Sequence, residues 1–366
     1  MERESISPFQ LFLLVMLFEL GSAVVVPLGL DAKQDAWIAI LLALVPAVGL
    51  IWLYSFLHRR YPNRTLIGTL QTLLGKPTGW TVGLLYVTYF MYIATRVLRD
   101  FAELLDASFF PQTPMMIETV LMVFSIAYVV SLGIDVIAKT GQIFACLYLL
   151  SLLVAVLLLL FSGAVEMESL QPVAEDWKRI FEAAFPVVYT FPFGEMIVFT
   201  MLFPYVRPKS NVMGTAIGAM VLSGLVISLV VATEIAALGA NIVSRGSFPL
   251  LTTIAKVNIA DFIQRVEVLA LLILIVGLFF KIALFFYAAL IGAAELFRRK
   301  SHQPLVLPFS IILILLSMMI AGNLPEHIQE GLKAVPWYLH LPMQTGLPVL
   351  LSIIALIRGR SRKAGV

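Results

Sequence analysis

The sequence predicts an all-α polytopic membrane protein, a single transmembrane domain of ten helices built as a 5+5 inverted repeat with helices 1 and 6 broken. Three observations predict it. Hydrophobic residues make up 60% of the chain and charged ones 13%, and the mean hydropathy is +0.98. Apolar runs such as 143–161 and 266–294 are longer than a soluble core buries. Two apolar stretches carry the same interruption beside an acid, Phe18-Glu19-Leu20-Gly21 and Phe191-Pro192-Phe193-Gly194-Glu195. A glycine or proline at mid-depth frees backbone N–H and C=O groups, which are tolerated only against protein or a polar cavity. The breaks therefore point to a binding site.

Stretches long enough to cross about 30 Å of hydrocarbon fall at 9–30, 36–57, 81–106, 115–134, 138–162, 183–206, 213–238, 266–296, 305–321 and 341–357. Span 1 starts with Ser7 as N-cap and Pro8 at the first helical position, where a missing N–H costs nothing. Its apolar run continues past Gly21-Ser22-Ala23 to Pro27, so it is a retained helix and not a cleaved signal. After span 2, Asn63 is the expected cap of a short amphipathic helix, 65–74, closed by Gly75 and lying along the inner membrane face. Segments 163–182 and 240–265 on the other side read either as surface and gating elements or as plain connectors.

With the N-terminus inside, 15 Lys/Arg sit on the inner side, among them Arg3, Arg59, Arg60, Arg298, Arg299, Lys300, Arg358, Arg360, Arg362 and Lys363. Three more, Arg96, Arg99 and Lys281, lie within spans, and of the total of 25 that leaves 7 outside. The positive-inside bias places both termini in the cytoplasm and requires an even number of spans. Cations parcelled into short loops form no nucleic-acid patch, so no nucleic-acid partner is expected and the lipid bilayer is the first one. The single cysteine, Cys146, makes no intrachain disulfide.

Five spans per half (1–162 and 163–366) make the second half enter from the opposite side, an inverted repeat. The break falls in the first helix of each half, as in transporters with discontinuous helices.

The chain resembles the B subunit of GerA-type nutrient germinant receptors of spore-forming bacteria, within the amino acid–polyamine–organocation transporter superfamily. The resemblance rests on Ile6-Ser7-Pro8-Phe9-Gln10 leading to Gly21 and Pro27, on Tyr61-Pro62-Asn63-Arg64-Thr65-Leu66 ending at Leu74-Gly75-Lys76, on the Phe191–Glu195 break and on Phe280-Lys281-Ile282. It implies a LeuT-type fold, residence in the spore inner membrane, and a complex with an A subunit and a C-type lipoprotein.

A break near Gly21 is expected to start a new helix whose N–H groups on Ser22, Ala23 and Val24 hold a carboxylate. Carbonyls around Val188, Tyr189, Thr190 and Phe191, at the end of the first half of helix 6, suit an ammonium. Phe191, Phe193 and Tyr189 are candidate walls for a small or medium apolar side chain, with Gly194 leaving room for it. An amino acid or similar small nutrient is the expected ligand.

Lys281 sits at the centre of span 8, with Gly277, Ala288 and Gly292 on its face. An ammonium at that depth needs a partner, and the acids available are Glu19 and Glu195. In the LeuT-type fold the resemblance implies, helix 8 lies against helix 1 where sodium-coupled relatives hold a cation, so Lys281 is expected to act as a built-in cation. Span 3 carries Tyr89, Tyr92, Arg96, Arg99 and Glu103 at three- and four-residue spacing, one polar face. There Tyr92 reads as a binding residue and Arg96, also paired with Asp100, as an outer gate.

The four histidines, His58, His302, His327 and His340, read as loop or span-end residues without metal-ligand spacing. No phosphate-binding loop, nucleophile elbow or Cys-x-x-Cys pair occurs. Neither an enzyme, a metal site nor a cofactor is expected. Two functions remain: a receptor subunit that binds a nutrient and signals to partners, and a secondary amino acid transporter coupled to protons or sodium.

Overall fold

In the computed structural model of the protein, the described residues are 5–24, 26, 28–256 and 267–363, the side chains of 210 and 359–363 excepted. Arg3, Pro27 and loop residues 257–265 lie outside them, as do the side chains of Arg360, Arg362 and Lys363. Among the described residues fourteen α-helices follow one another. They are α1 (Pro8–Ala23), α2 (Ala36–Arg60), α3 (Leu66–Leu74), α4 (Lys76–Ser108), α5 (Met115–Ser131), α6 (Ile134–Phe161) and α7 (Trp177–Ala183). Then come α8 (Val212–Leu238), α9 (Ala240–Val243), α10 (Pro249–Ile254), α11 (Glu267–Leu296), α12 (Gln303–Met319), α13 (Leu324–Gln329) and α14 (Leu347–Lys363).

Among the described residues, seven helical stretches are long and apolar enough to cross a membrane, or eight if the pair Gln303–Met319 and Leu324–Ala334, bent by 105°, counts as one span. The apolar helices α1 and α5 are shorter than that.

Local sequence explains the helix starts. Gln10 N–H donates to Ser7 Oγ at 3.1 Å and Ser7 N–H to Gln10 Oε1 at 2.9 Å, a capping box that satisfies two otherwise orphaned donors. The cap of α3 is Thr65, whose Oγ1 accepts from Gly68 N–H at 3.1 Å. This corrects the expected Asn63, whose side chain instead accepts from Lys209. Gly75 ends α3 at φ +86°, a conformation that favours glycine. Leu66, Ile67, Leu70 and Leu73 of α3 are buried. They pack on α4 and α11, so the apolar face of α3 is used against the protein itself.

Two boundaries move outward from the expected ones. The sixth helix begins at Trp177, six residues before the expected 183, and runs through a π-helical turn, Ala184–Val188, to a break at Phe191-Pro192. The last helix runs without interruption from Leu324 through π-helical segments Glu330–Ala334 and Pro336–Gly346 into α14, where the sequence pattern placed only 341–357. Charged residues and prolines in 324–342 depress hydropathy, yet Pro325 stands in the opening turn, where a missing N–H is tolerated, and Pro336 and Pro342 lie in the π-helical segment of the continuing helix.

Helix α11 forms the centre, buried along most of its length and packed on α4, α1 and α6. Its contact with α1 is backbone on backbone: a Cβ on Gly21 would stand 2.5 Å from the Gly277 carbonyl oxygen, and one on Gly277 would stand 2.7 Å from Gly21 Cα. Small residues allow this approach between membrane helices.

At the face where α1 begins, Ile6 N–H donates to Tyr205 O and Arg207 N–H to Ile6 O, both at 3.0 Å. Ile6 and Val206 are buried in this bridge. It ties the start of α1 to the chain beyond the sixth helix. At the opposite face, segment 163–182 is folded onto the protein, with Glu166 N–H on Ala236 O at 2.9 Å and Ala174 N–H on Asp35 Oδ1 at 2.8 Å.

Candidate ligand-binding site

The first break lies later than the sequence suggests. Helix α1 continues through Gly21, Ser22 and Ala23, and Val24 N–H still reaches Leu20 O at 3.4 Å. The expected cradle of N–H groups on Ser22, Ala23 and Val24 is therefore overturned: these groups belong to a helix C-terminus, whose unpaired groups are carbonyls. Gly21 and Gly277 are occupied by each other, and their role is helix packing. The expectation missed this because a glycine beside an acid reads the same whether it opens a helix or lets two helices touch.

The second break lies where expected. The helix closes with Phe191 N–H on Val187 O at 2.9 Å, and after Pro192 the chain resumes as a 3-10 helix, Phe193–Met201, with Glu195 N–H on Pro192 O at 3.1 Å. Side chains around it divide. Thr190 turns its hydroxyl back to Pro186 O at 2.8 Å, and Tyr189 OH meets Thr345 Oγ1 at 3.0 Å. Phe193 is buried toward Gly224 of α8, and Gly194 abuts the Gln344 carboxamide. Of the residues at this break, Phe191 and Glu195 face a cavity.

That cavity, about 50 Å³ in volume, lies between the first break, α4, the second break and the last helix. It is smaller than the roughly 300–1,000 Å³ of ligand pockets, so a nutrient enters only as the side chains around it move apart. Val26 comes from the first break, Ile93, Arg96, Val97 and Asp100 from α4, Phe191 and Glu195 from the second, and His327, Gly331, Val335 and His340 from the last helix.

Glu195 Oε2 lies 2.5 Å from Lys281 Nζ, with both side chains nearly inaccessible. Of the two acids considered for Lys281, Glu195 is thus the one in contact. The ammonium also stands 4.6 Å from the Phe191 ring centre and 4.9 Å from that of Phe18, within the range of cation–π attraction. Phe191 and Glu195 thus touch the cavity on one side and the buried ammonium on the other. Glu19 is fully buried, and neither carboxyl oxygen has a hydrogen-bond partner among the described residues.

Arg96 joins α4 to the last helix. Its guanidinium donates to Glu330 Oε2 at 3.2 Å, to the His327 carbonyl and to Tyr92 OH at 3.3 Å. Gly331 leaves the room it occupies, since a Cβ there would stand 2.5 Å from Arg96 Nη2. The expected Arg96–Asp100 pairing is replaced by His327 Nε2 on Asp100 Oδ1 at 2.8 Å. Arg99 and Glu103, on the same polar face, pair at 2.6 Å. Tyr92 reaches the site only through Arg96.

Below this, the π-helical segment of the last helix presents its carbonyls to tyrosines. Tyr54 OH donates to Gln344 O and Tyr86 OH to Met343 O, both at 2.7 Å. Tyr89 OH meets His340 Nδ1 at 2.7 Å and accepts from Gln344 Nε2 at 2.8 Å. His327, Glu330, His340 and Gln344 were not among the expected site residues. Their signal was a polar recurrence, 327, 330, 340 and 344, hidden among prolines; reading both histidines as loop or span-end groups is corrected by their burial.

Comparisons with known proteins agree with this architecture. MhsT in complex with L-phenylalanine superposes with a TM-score of 0.70 at 16% identity, over 97% of this chain and 89% of that one. Mhp1, a nucleobase-cation-symport-1 family transporter in a closed conformation with bromovinylhydantoin bound, gives 0.66 at 14% identity over 91% and 76%. These likenesses establish a LeuT-type transporter fold. In sequence, the chain is 37% identical over 365 residues to spore germination protein KB of Bacillus subtilis (strain 168), covering 99% of this chain and 98% of that one. It is 26% identical over 340 residues to spore germination protein YndE of the same organism, with 90% of each covered. The family model described as spore germination protein matches residues 5–324, and the chain belongs to that spore permease family.

Proposed function

We propose that this chain is the ligand-binding membrane subunit of a spore nutrient germinant receptor, holding an amino acid or similar small nutrient in the cavity beside Arg96 and Glu195. One observation carries the reading: a guanidinium and a carboxylate line the same cavity, the complement of a zwitterion. The nutrient's carboxylate would meet Arg96, in place of the N–H groups on Ser22, Ala23 and Val24, and its ammonium would meet Glu195, whose charge Lys281 otherwise holds. Lys281 acts as a built-in cation against Glu195, so strict sodium dependence of the response would count against that role. Arg96 is the gate, because a ligand that draws its guanidinium inward loosens its hold on Glu330 and the His327 carbonyl. The last helix would carry that change to an A subunit and a C lipoprotein. With this go ten membrane crossings, repeats 1–162 and 163–366, cytoplasmic termini and the spore inner membrane.

The test is calorimetric titration of free amino acids into the purified full chain in nanodiscs. R96Q and E195Q are each expected to weaken binding by roughly tenfold or more, since hydrogen bonds to charged groups contribute about 1.5–3 kcal/mol. Unchanged affinity in both variants would remove the site.

The transporter fold itself supports a second reading, a secondary amino acid transporter coupled to protons or sodium. Its test is accumulation of labelled amino acid by the chain in liposomes under an ion gradient.

A further inference from the structure

The cations at the N-terminal face are not equivalent. Lys139 pairs with Asp135 at 2.7 Å, Arg207 donates to the Pro204 and Val206 carbonyls, Lys209 to Asn63, and Arg358 to Thr72 O at 3.2 Å. Arg59 and Arg60, at the end of α2, are exposed and have no hydrogen-bond or ion-pair partner among the described residues. Both border a cleft of about 480 Å³, completed by Trp52, Phe56 and Met213, with no carboxylate in its lining.

Two further features shape this cleft. Met213 lies in the first turn of α8, which continues directly from a 3-10 turn, Lys209–Asn211, with Val212 N–H on Lys209 O. Trp52, 57% exposed, stacks on Phe56 with ring centres 6.2 Å apart and planes 18° apart. From Arg60 back to Trp52 the helix rises about 12 Å at 1.5 Å per residue. An anion-binding end therefore adjoins a flat apolar wall, at the spacing of a lipid headgroup and its upper acyl chain.

We propose that this cleft binds one anionic glycerophospholipid, its phosphodiester held by Arg59 and Arg60 and its acyl chain lying along Trp52 and Phe56. A free anion would use the arginines and leave the aromatic wall bare; a lipid uses both. Unpaired guanidiniums next to an interfacial tryptophan are what recognition of an acidic headgroup requires. The site is separate from the nutrient cavity and does not depend on what that cavity binds.

The full chain, reconstituted in phosphatidylcholine vesicles, is titrated with brominated phosphatidylglycerol or brominated phosphatidylcholine while tryptophan fluorescence is followed. Wild-type protein should reach half-quenching at a mole fraction of the acidic lipid roughly tenfold lower than of the neutral one, as expected for two surface arginines. W52F should lose that selective component, R59Q/R60Q should abolish the preference, and R299Q/K300Q, on another loop of the same face, should keep it. Inorganic phosphate at matched concentration should not reverse the quenching. Equal quenching by the two lipids, a preference that survives W52F or R59Q/R60Q, or reversal by phosphate alone would each overturn the proposal. If R59Q/R60Q fails to fold, the W52F comparison decides alone.

Discussion

The two helix breaks look alike in sequence and do different work. At the first, Gly21 sits on the Gly277 backbone and Glu19 is buried without a hydrogen-bond partner among the described residues. At the second, Glu195 faces a cavity and grips Lys281, and a Cβ on Gly194 would meet the end of the Gln344 side chain before it met the Tyr189 carbonyl. A glycine beside an acid in a membrane helix thus has two unrelated uses, close helix contact and site construction. What distinguishes them is whether the neighbour is backbone or a movable side chain, and whether the acid has a cation.

The largest expected effect comes from the cation. Lys281→Met leaves the Glu195 charge buried alone and should destabilise the protein by about 3–5 kcal/mol, read as a loss of thermal stability in detergent. The double variant Lys281→Met, Glu195→Gln removes both charges and should recover much of that loss. If the double variant is no more stable than Lys281→Met, the pair is not what makes the second break different.

The glycines come next. Gly21→Ala drives a methyl into a carbonyl that belongs to a packed helix and should cost roughly 1–3 kcal/mol, the usual penalty of overpacking. Gly194→Ala meets a carboxamide at the end of a flexible side chain and should cost less, with its effect falling on the Tyr89–Gln344 hydrogen bond. Equal melting temperatures for the two variants would erase the distinction between a packing and a site glycine.

How much of this was legible follows the same line. Hydropathy suffices for an all-helical membrane chain, because burying bare backbone in lipid is so costly that long apolar runs have few alternatives. Ser7 and Gln10 specify the start of α1, and Phe191-Pro192 marks the break of the sixth helix, since proline removes a donor wherever it stands. Lys281 announces a buried pair, but its choice of Glu195 over Glu19 depends on helix rotation, to which one-dimensional spacing is blind. The last helix was hidden for a clearer reason. Its polar face, His327 through Gln344, is the face that lines the cavity and receives the tyrosines, so the residues that make it functional are those that lower its hydropathy. Gly21 misled because its partner, Gly277, is 256 residues away and contact between them is tertiary.

A smaller effect tests whether the last helix belongs to the second break. Tyr86→Phe removes the hydroxyl that Met343 O accepts at 2.7 Å, leaving a buried carbonyl unpaired. The expected cost is about 1–3 kcal/mol, with faster hydrogen exchange in the π-helical segment than in α1. Exchange that rises equally in both helices would mean that the tyrosine supports the bundle generally and not this segment.

The smallest effect is expected at the acid of the first break. Glu19 shares depth and burial with Glu195, but its oxygens make no hydrogen bond among the described residues, and its neighbour Lys281 is in contact with the other acid. Replacing it by glutamine, close in shape and without charge, removes no hydrogen bond and leaves the Lys281–Glu195 pair whole. Glu19→Gln should therefore shift stability by less than about 1 kcal/mol, whereas Glu195→Gln strands a buried ammonium and should cost several times more. Thermal melts of the two variants side by side give the ratio directly. If Glu19→Gln proves as damaging as Glu195→Gln, then Lys281 divides its charge between both acids, and the two breaks form one electrostatic unit instead of a packing joint and a site.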